Sequence, residues 1–448
     1  MSLNRQIFNI AIPSIIGFLG LILFESADVY WVGKLGSKAV AAMGAAFFLE
    51  WLLYALMNLS TTGCGALVAQ FIGAKSEERF HVIRESFWLS LILAVILMGF
   101  LWFGAPYLFK FMGLDPETLK LAMEYFRVFT IGFPVLYLYT LQGYVFNAYG
   151  DTRTKTFIML GIILLNIILD PFLIFGWYFF PELGMQGAAI ATIFSEIIGL
   201  IINTIVLRRN NYITPLFSFL EISTRHLKHI LKIGLPAATT NVTWTIVFPL
   251  LTVIITRFGM EPLAGLNIAN RLEGFPYFFS IGFSIAIATL VGQSYGKGDF
   301  EQVWLIVKRG ILLISMILLP VSLVFILIPE VLIAILSNDP LVIIEGAKYL
   351  KIVGYFELFL GWQLVIEGAF NGLGNTRPYM LISVPLTLVR IPLAYWMAIS
   401  LNMGIEGVWW AISLTTLLKG VVLAIIFVTN RKNRELLSVD EISTLPAT

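Results

Sequence analysis

The chain has little charge, one cysteine and three histidines. Asp, Glu, Lys and Arg make up only 12% of its 448 residues, whereas soluble domains carry about 25%. This scarcity excludes a soluble globular enzyme, a disordered chain and a nucleic-acid-binding protein, all of which need more charged surface. A single cysteine, Cys64, excludes an intrachain disulfide and a cysteine-based metal cluster. The histidines do not show the HExxH spacing of a zinc site.

Apolar residues are abundant instead, at 58% of the chain, and they form long unbroken runs. Such runs predict membrane-spanning helices, which need about 20 residues each, and not the short alternating segments of an outer-membrane barrel. We predict an all-α integral membrane protein with twelve spans. They are 7–32, 45–71, 86–109, 122–147, 156–179, 186–207, 229–256, 264–292, 304–336, 345–371, 378–400 and 405–429.

Lys and Arg are distributed unevenly between the loops. If the N-terminus is cytoplasmic, the inside loops hold more than twice as many Lys and Arg residues as the outside loops. By the positive-inside rule, this predicts that both termini are cytoplasmic and that the number of spans is even. The first span is too long for a signal peptide and lacks a small-residue cleavage site, so we expect it to be a true span.

The second half of the chain repeats the first. With a shift of 223 or 224 positions, Pro13 matches Pro236, Glu50 matches Glu273, and Asp115-Pro116 matches Asp339-Pro340. Each half then holds six helices, and a pseudo-twofold axis along the membrane normal should relate the halves, as in many transporters. We predict an N-terminal lobe at 1–207, a cytoplasmic linker at 208–228, a C-terminal lobe at 229–430 and a cytoplasmic tail at 431–448.

Ionisable residues inside predicted spans are functional candidates, because each costs about 2.5–3.5 kcal/mol at the bilayer centre. Asp28 and Asp170 have no acidic counterpart in the second half, where Leu251 and Ala394 stand, and Asn166 matches Arg390. Asn166 and Asp170 are spaced i, i+4 and share a helix face. Carboxylate and amide oxygens suit a small cation such as Na⁺, or a proton held on a carboxylate. The sequence leaves both ions open.

Other charged residues in the spans are weaker candidates. Glu50 and Glu273 occupy equivalent positions in the two repeats. A structural role shared by the repeats explains this as readily as a role in a functional site. We interpret Lys419 as a snorkelling or paired side chain, and we place Glu196 and Glu357 near the interfaces.

Four segments carry a resemblance to a known family. They are residues 28–36 (DVYWVGKLG), 165–171 (LNIILDP), 187–192 (GAAIAT) and 372–378 (GLGNTRP). These segments occur in the same order as in the multidrug and toxic compound extrusion (MATE) transporters, and the chain also has a duplicated set of twelve predicted helices. The chain therefore resembles the MATE transporters over essentially its whole length. The resemblance implies two six-helix lobes in a prokaryotic inner membrane and export of lipophilic, cationic drugs in exchange for Na⁺ or H⁺.

The resemblance also implies a cation site. Its members here are Asp28, Asn166, Asp170 and Thr192, and they would ligate the metal if the ion is Na⁺. One departure concerns the NorM-type branch, which also places an acid in the seventh helix about two turns after its proline; the corresponding residue here is Trp244. We therefore place the chain nearer the DinF-like or archaeal-like branch.

Secondary or substrate-cavity candidates remain in both halves. They are Glu25, Glu50, Glu273, Glu367 and Arg390, and the last three can pair with one another.

Three alternative functions remain. A lipid-linked oligosaccharide or lipid flippase of the same superfamily should line its cavity with Arg or Lys, but only Arg127, Arg271, Arg390 and Lys419 lie in spans. A membrane enzyme would need a DDxxD, HExxH or GxSxG motif, and a channel a repeated filter loop, and the sequence has neither. We expect drug-like small molecules and the lipid bilayer as partners, no nucleic acid, no cofactor besides the coupling ion, and a monomer.

Overall fold

Helices joined by short turns and loops make up the part of the chain that the structure describes. The computed structural model describes residues 2–178, 180–214 and 223–433, with only the backbone for 430–433. No strand occurs in these ranges. Residues 215–222 of the predicted linker and residues 434–448 of the predicted tail lie outside the described residues. The helices are α1 Leu3–Gly33, α2 Ser37–Gly73, α3 Glu78–Phe111, α4 Pro116–Tyr149, α5 Thr152–Phe175, α6 Met185–Arg209, α7 Leu227–Ile255, α8 Met260–Gly296, α9 Phe300–Leu327, α10 Pro329–Ala334, α11 Pro340–Gly354, α12 Glu357–Gly372, α13 Arg377–Tyr395 and α14 Ile405–Asn433.

The prediction of an all-helical membrane protein is confirmed. Among the described residues, eleven helices are long and apolar enough to cross a membrane. The pair α11 and α12 makes a twelfth crossing if it is counted as one bent span.

Two predicted spans are not single helices. The span predicted at 304–336 divides after Leu327, because Pro329 has no N–H to continue the helix and instead begins α10. The span predicted at 345–371 bends by 55° between α11 and α12. At this break the Phe356 N–H donates to the carbonyl of Val353, three residues back, so the regular i to i−4 ladder stops there.

The internal repeat is visible in the backbone. Gly36 and Gly259, which precede α2 and α8, both have a φ of 116°, a value that favours glycine. Asp115 and Asp339 cap α4 and α11 with their side chains, and in both helices a proline follows the cap. Matched positions in the sequence therefore mark matched helix starts.

Two compact units make up the chain. One unit is Ile12–Leu235, and the other combines Met1–Ala11 with Pro236–Thr448; we call them the first-half unit and the second-half unit. Both divisions fall inside helices, next to the equivalent prolines Pro13 and Pro236. The lobe and linker boundaries that the sequence suggests stay predictions.

Close helix packing in the second-half unit depends on glycine. A methyl group on Gly368 of α12 would collide with the backbone carbonyl of Ser284 on α8. We expect Gly368→Ala to destabilise the protein by about 1–3 kcal/mol, because two helix backbones would have to separate. Thermal unfolding of the detergent-solubilised protein measures the effect.

Gly44→Ala is the matched control, because nothing lies within 4 Å of the added methyl group. It should be neutral or stabilising by up to about 1 kcal/mol, since alanine favours helix. Equal unfolding temperatures for the two variants would contradict this account of the α8–α12 contact.

Candidate functional site

Small residues bring α1 close to α5. The side chains of Met159 and Leu160 on α5 lie 2.9 Å and 2.6 Å from the points where a Cβ on Gly17 and on Gly20 would stand. A larger residue at either position would require the ends of these side chains to move. Two to three turns further along α1 lies Asp28, which therefore faces α5.

The four residues predicted as a cation site come together in the first-half unit. Asp28 on α1 and Asp170 on α5 lie within hydrogen-bonding reach of each other. Asn166, one turn before Asp170, donates from Nδ2 to the hydroxyl of Thr192 on α6 over 3.3 Å. Asp28, Asn166 and Asp170 are at most 1% exposed, and Thr192 is 7% exposed.

Several oxygens in this cluster have no hydrogen-bond donor. They are Oδ1 of Asp28, Oδ1 of Asn166 and both carboxylate oxygens of Asp170. In the described part of the chain, neither aspartate forms an ion pair with a basic residue. A buried carboxylate without a partner costs several kcal/mol, and facing carboxylates repel each other. Hard oxygen donors with excess negative charge are the set that suits a small monovalent cation or a shared proton.

Further acids surround the pair. Glu25 lies one turn before Asp28, and Glu50 on α2 is hydrogen-bonded by the hydroxyl of Tyr125 on α4. Both interact electrostatically with Asp28. Glu196 on α6 interacts with Glu50 and has a buried, unpartnered Oε2. The first-half unit therefore concentrates negative charge around Asp28.

The second-half unit repeats the tyrosine–glutamate contact of the first half, but here a basic residue accompanies the glutamate. Tyr349, the counterpart of Tyr125, donates to Glu273 over 2.6 Å, as Tyr125 does to Glu50. Arg390 stands where the first half has Asn166, and it interacts electrostatically with Glu273. Its Nε donates to the hydroxyl of Thr415 over 2.9 Å. A guanidinium thus occupies the position that Asn166 has in the first half.

Glu367 does not join this pair. It accepts hydrogen bonds from Gln363 over 3.0 Å and Ser383 over 3.1 Å, and the base facing it is Lys419. Lys419 is 3% exposed and donates to Thr387 over 2.6 Å. Of the second-half candidates, Glu273 and Arg390 therefore interact electrostatically with each other, and Glu367 faces Lys419, a base that the sequence suggested to be snorkelling or paired.

Sequence reasoning missed two participants, Tyr125 and Tyr349. The shift of 224 positions relates Tyr125 to Tyr349 and could have identified both as partners of the equivalent glutamates. Glu357 is 1% exposed inside the second-half unit, and its placement near a membrane interface stays a prediction.

An all-helical membrane bundle, duplicated in sequence and carrying unpaired buried carboxylates, is typical of a secondary transporter. Residues 13–172 and residues 236–396 each match the MatE family. The chain therefore belongs to the MatE family of membrane transporters, so it is a multi-pass transporter and not an enzyme. The two matched stretches coincide with the two repeats.

Individual relatives span nearly the whole chain. The probable multidrug resistance protein NorM of Thermotoga maritima is 29% identical over 413 residues, covering 90% of this chain and 88% of that protein. The FAD transporter of Shewanella oneidensis is 25% identical over 411 residues, covering 91% and 89%. A solved outward-facing structure of a multidrug resistance MATE family transporter of the MOP superfamily superposes with a TM-score of 0.88 at 25% identity, covering 98% of this chain and 97% of that one. The resemblance to MATE transporters is confirmed; the DinF-like or archaeal-like branch stays a prediction.

Proposed function

We propose that the protein is a secondary active antiporter that exports lipophilic, cationic drug-like molecules in exchange for Na⁺ or H⁺. The observation that carries the proposal is the pair Asp28 and Asp170, buried face to face with unpartnered oxygens and, among the described residues, no base paired with them. A cation entering the pair relieves the repulsion between the two carboxylates. Relatives described as multidrug resistance and multidrug export proteins support the cargo class.

Cation binding can act on α1 because that helix touches α5 at its other end. The hydroxyl of Thr156 donates to the carbonyl of Pro13 over 2.8 Å, and the glycines of α1 pack beneath α5 side chains. Neutralising Asp28 or Asp170 lets α1 repack near Pro13 or around Gly17 and Gly20. In the proposed cycle this repacking loosens drug binding in the outward-open state, and the return to the inward state then releases the cation.

The available driving force is sufficient. One cation moving down about 100 mV releases about 2.3 kcal/mol, and a tenfold concentration gradient adds about 1.4 kcal/mol. One ion per cycle therefore releases about 3.7 kcal/mol, but moving a singly charged cationic drug outward against the same potential uses about 2.3 kcal/mol of it. A one-for-one exchange thus sustains about a tenfold concentration gradient of such a drug at the limit. We also propose that the protein is a monomer in the prokaryotic inner membrane with both termini cytoplasmic, as the Lys and Arg distribution predicts.

The described basic residues do not favour export of an anionic, lipid-linked substrate. Arg390 and Lys419, the two buried bases of the described spans in the second-half unit, donate to threonines and face glutamates there.

Transport in proteoliposomes tests the proposal. Vesicles loaded with a fluorescent lipophilic cation receive either a Na⁺ gradient or a pH gradient, with the other held at zero. We expect one gradient to drive dye movement in the native protein, and Asp170→Asn to abolish that movement. Asp299→Asn is the matched control, since this exposed aspartate caps α9 and asparagine also caps helices. Full gradient-driven transport by Asp170→Asn would refute the coupling role, and no dye movement under either gradient would refute antiport of this cargo.

A further inference from the structure

The buried aspartate pair lies close to one end of both helices that carry it. Asp28 is five residues before the end of α1 at Gly33, and Asp170 is five residues before the end of α5 at Phe175. At about 1.5 Å per residue, the pair is about 8 Å from these ends and more than about 25 Å from the opposite ends. If the N-terminus is cytoplasmic, as predicted, the near ends face outside. The shortest route along these helices from water to the pair therefore begins outside.

Three aromatic side chains occupy this interval. Trp31, three residues after Asp28, packs edge-to-face against Phe175 and Trp177, with ring centroids 6.1 Å and 5.9 Å apart. The rings of Phe175 and Trp177 also contact each other, at 6.5 Å. We call Trp31, Phe175 and Trp177 the outer aromatic cap. It joins the end of α1 to the end of α5 and to the loop that follows α5.

The outer aromatic cap is continuous with the apolar core of the first-half unit. Trp31 and Phe175 pack against that core, and their chain neighbours Val32 and Ile174 are fully buried within it. Trp177 is half-exposed, so the cap extends from the core to the surface. Apolar packing of this kind excludes ions, because moving a charge out of water into apolar surroundings is costly.

An exposed base also contacts the cap. The Lys34 ammonium lies 4.3 Å from the ring centroid of Trp31 and 4.5 Å from that of Tyr30. These distances are those of cation–π contacts, which are modestly stabilising at exposed sites. Lys34 therefore stabilises the position of the Trp31 ring, which in turn contacts both other members of the cap.

The backbone beside Trp177 is held against α5. The Leu183 N–H donates to the carbonyl of Leu173 on α5 over 3.1 Å. Gly176 has a φ of 68°, and a Cβ at this position would lie 2.7 Å from the backbone nitrogen of Glu182. Glycine thus allows the chain to turn sharply between α5 and Trp177.

Aromatic residues are common where proteins meet the membrane interface, but the second repeat has an aliphatic residue where the cap has its central ring. Ile254 stands at the position of Trp31, at a shift of 223. The connection that carries Trp177 is four residues longer than its counterpart, because the shift falls from 224 at Asp170 to 220 at Gly187. The repeat that has the aspartate pair is therefore also the repeat that has the tryptophans of the cap.

We propose that the outer aromatic cap is the gate through which the coupling ion reaches Asp28 and Asp170 from outside, and that displacement of Trp31 opens it. Trp31 contacts both other rings, and it lies on α1, the helix that repacks in the proposed cycle. The involvement of a coupling ion rests on the proposed function. Closure of the route to the aspartate pair rests on the packing of the cap.

Thiol accessibility tests the gate without drug, gradient or transport. Asp28→Cys places a thiol at the aspartate pair, and the rate of its reaction with a small, membrane-impermeant, cationic methanethiosulfonate reagent is measured in right-side-out membrane vesicles. The native protein gives the background, since its cysteine, Cys64, is buried. We expect Trp31→Ala to accelerate labelling of the Asp28→Cys protein by about tenfold or more, because two edge-to-face aromatic contacts are lost.

Two further substitutions in the Asp28→Cys background give independent readouts should Trp31→Ala fold poorly. Trp177→Ala changes a ring that is already 45% exposed, and it should accelerate labelling severalfold. Lys34→Met removes an exposed cation–π contact, and it should accelerate labelling by about two- to fivefold. Trp102→Ala is the matched control, because Trp102 lies on α3 outside the cap and is 40% exposed; it should leave the labelling rate unchanged.

Unchanged labelling in both the Trp31→Ala and the Trp177→Ala proteins would refute the gate, as would an equal acceleration by Trp102→Ala. If only Trp177→Ala yields folded protein, an unchanged rate in that variant alone refutes the gate. The labelling rates need neither an ion gradient nor a transported drug. Failure of the gate and failure of the proposed antiport therefore give different results.

Discussion

Replacing Asp170 with asparagine should raise the thermal stability of the Na⁺-free protein by about 1–3 kcal/mol. The substitution keeps the shape of the side chain and removes one of two facing, buried carboxylates. Its neutral amide can donate a hydrogen bond to the orphaned oxygen of Asp28, and removal of an uncompensated buried charge relieves a penalty of several kcal/mol. A residue that stabilised the fold would show the opposite sign, so the measurement separates a functional role from a structural one.

The same substitution should reduce the response of the protein to its ion. A ligand at 100 times its Kd stabilises the folded protein by about 2.7 kcal/mol. If Na⁺ is the coupling ion, Asp170→Asn should lose the part of this stabilisation that the first-half site contributes. Thermal unfolding in detergent with and without Na⁺ measures the loss.

The control for these measurements is Asp115→Asn, because Asp115 is an exposed helix cap and asparagine replaces it well. It should leave both the stability and the Na⁺ response unchanged. A lower unfolding temperature for Asp170→Asn than for Asp115→Asn would show that the Asp170 carboxylate stabilises the first-half unit, which contradicts net repulsion between Asp28 and Asp170.

Removing the guanidinium of Arg390 should destabilise the protein strongly. Arg390→Met leaves Glu273 buried without its cation and deprives Thr415 of its donor. Leaving a buried charge without the opposite charge that compensates it costs up to about 3–5 kcal/mol. Adding Glu273→Gln to Arg390→Met should recover a large part of that loss, because the second change removes the stranded charge.

A double-mutant cycle over these two positions measures the coupling. Arg271→Met provides the control, since Arg271 is an exposed arginine of α8, and such substitutions usually change stability by less than about 0.5 kcal/mol. Additive effects of Arg390→Met and Glu273→Gln would show that the two side chains do not form a pair.

The sequence predicted the order of the membrane-spanning helices well, because such helices are long, apolar runs that are easily recognised. Length, apolarity and the internal repeat together specify the helix order. The break between α11 and α12 was not predictable in this way, because no proline lies there. It arises where the hydrogen bond from Phe356 to Val353 tightens the last turn of α11.

The site was predictable to a different degree in the two halves. Asp28 and Asp170 stand out because the second repeat has apolar residues at their positions, and the i, i+4 spacing brings in Asn166. Their proximity follows from helix packing, which periodicity does not contain. In the second half, the sequence could not decide which acid faces which base, since partners such as Glu367 and Lys419 lie on helices far apart in the chain.

The first residues of α1 and of α7 each belong to the unit formed by the other repeat. This arrangement has a consequence for how the protein is assembled. The first eleven residues belong to the unit of the second repeat, and the start of α7 belongs to the unit of the first. This reciprocity is that of a domain-swapped dimer whose copies have been joined into one chain. Two separate polypeptides, one ending at residue 214 and the other beginning at residue 223, should therefore recognise each other and rebuild the transporter when co-expressed, because each fragment carries a helical segment that the other needs.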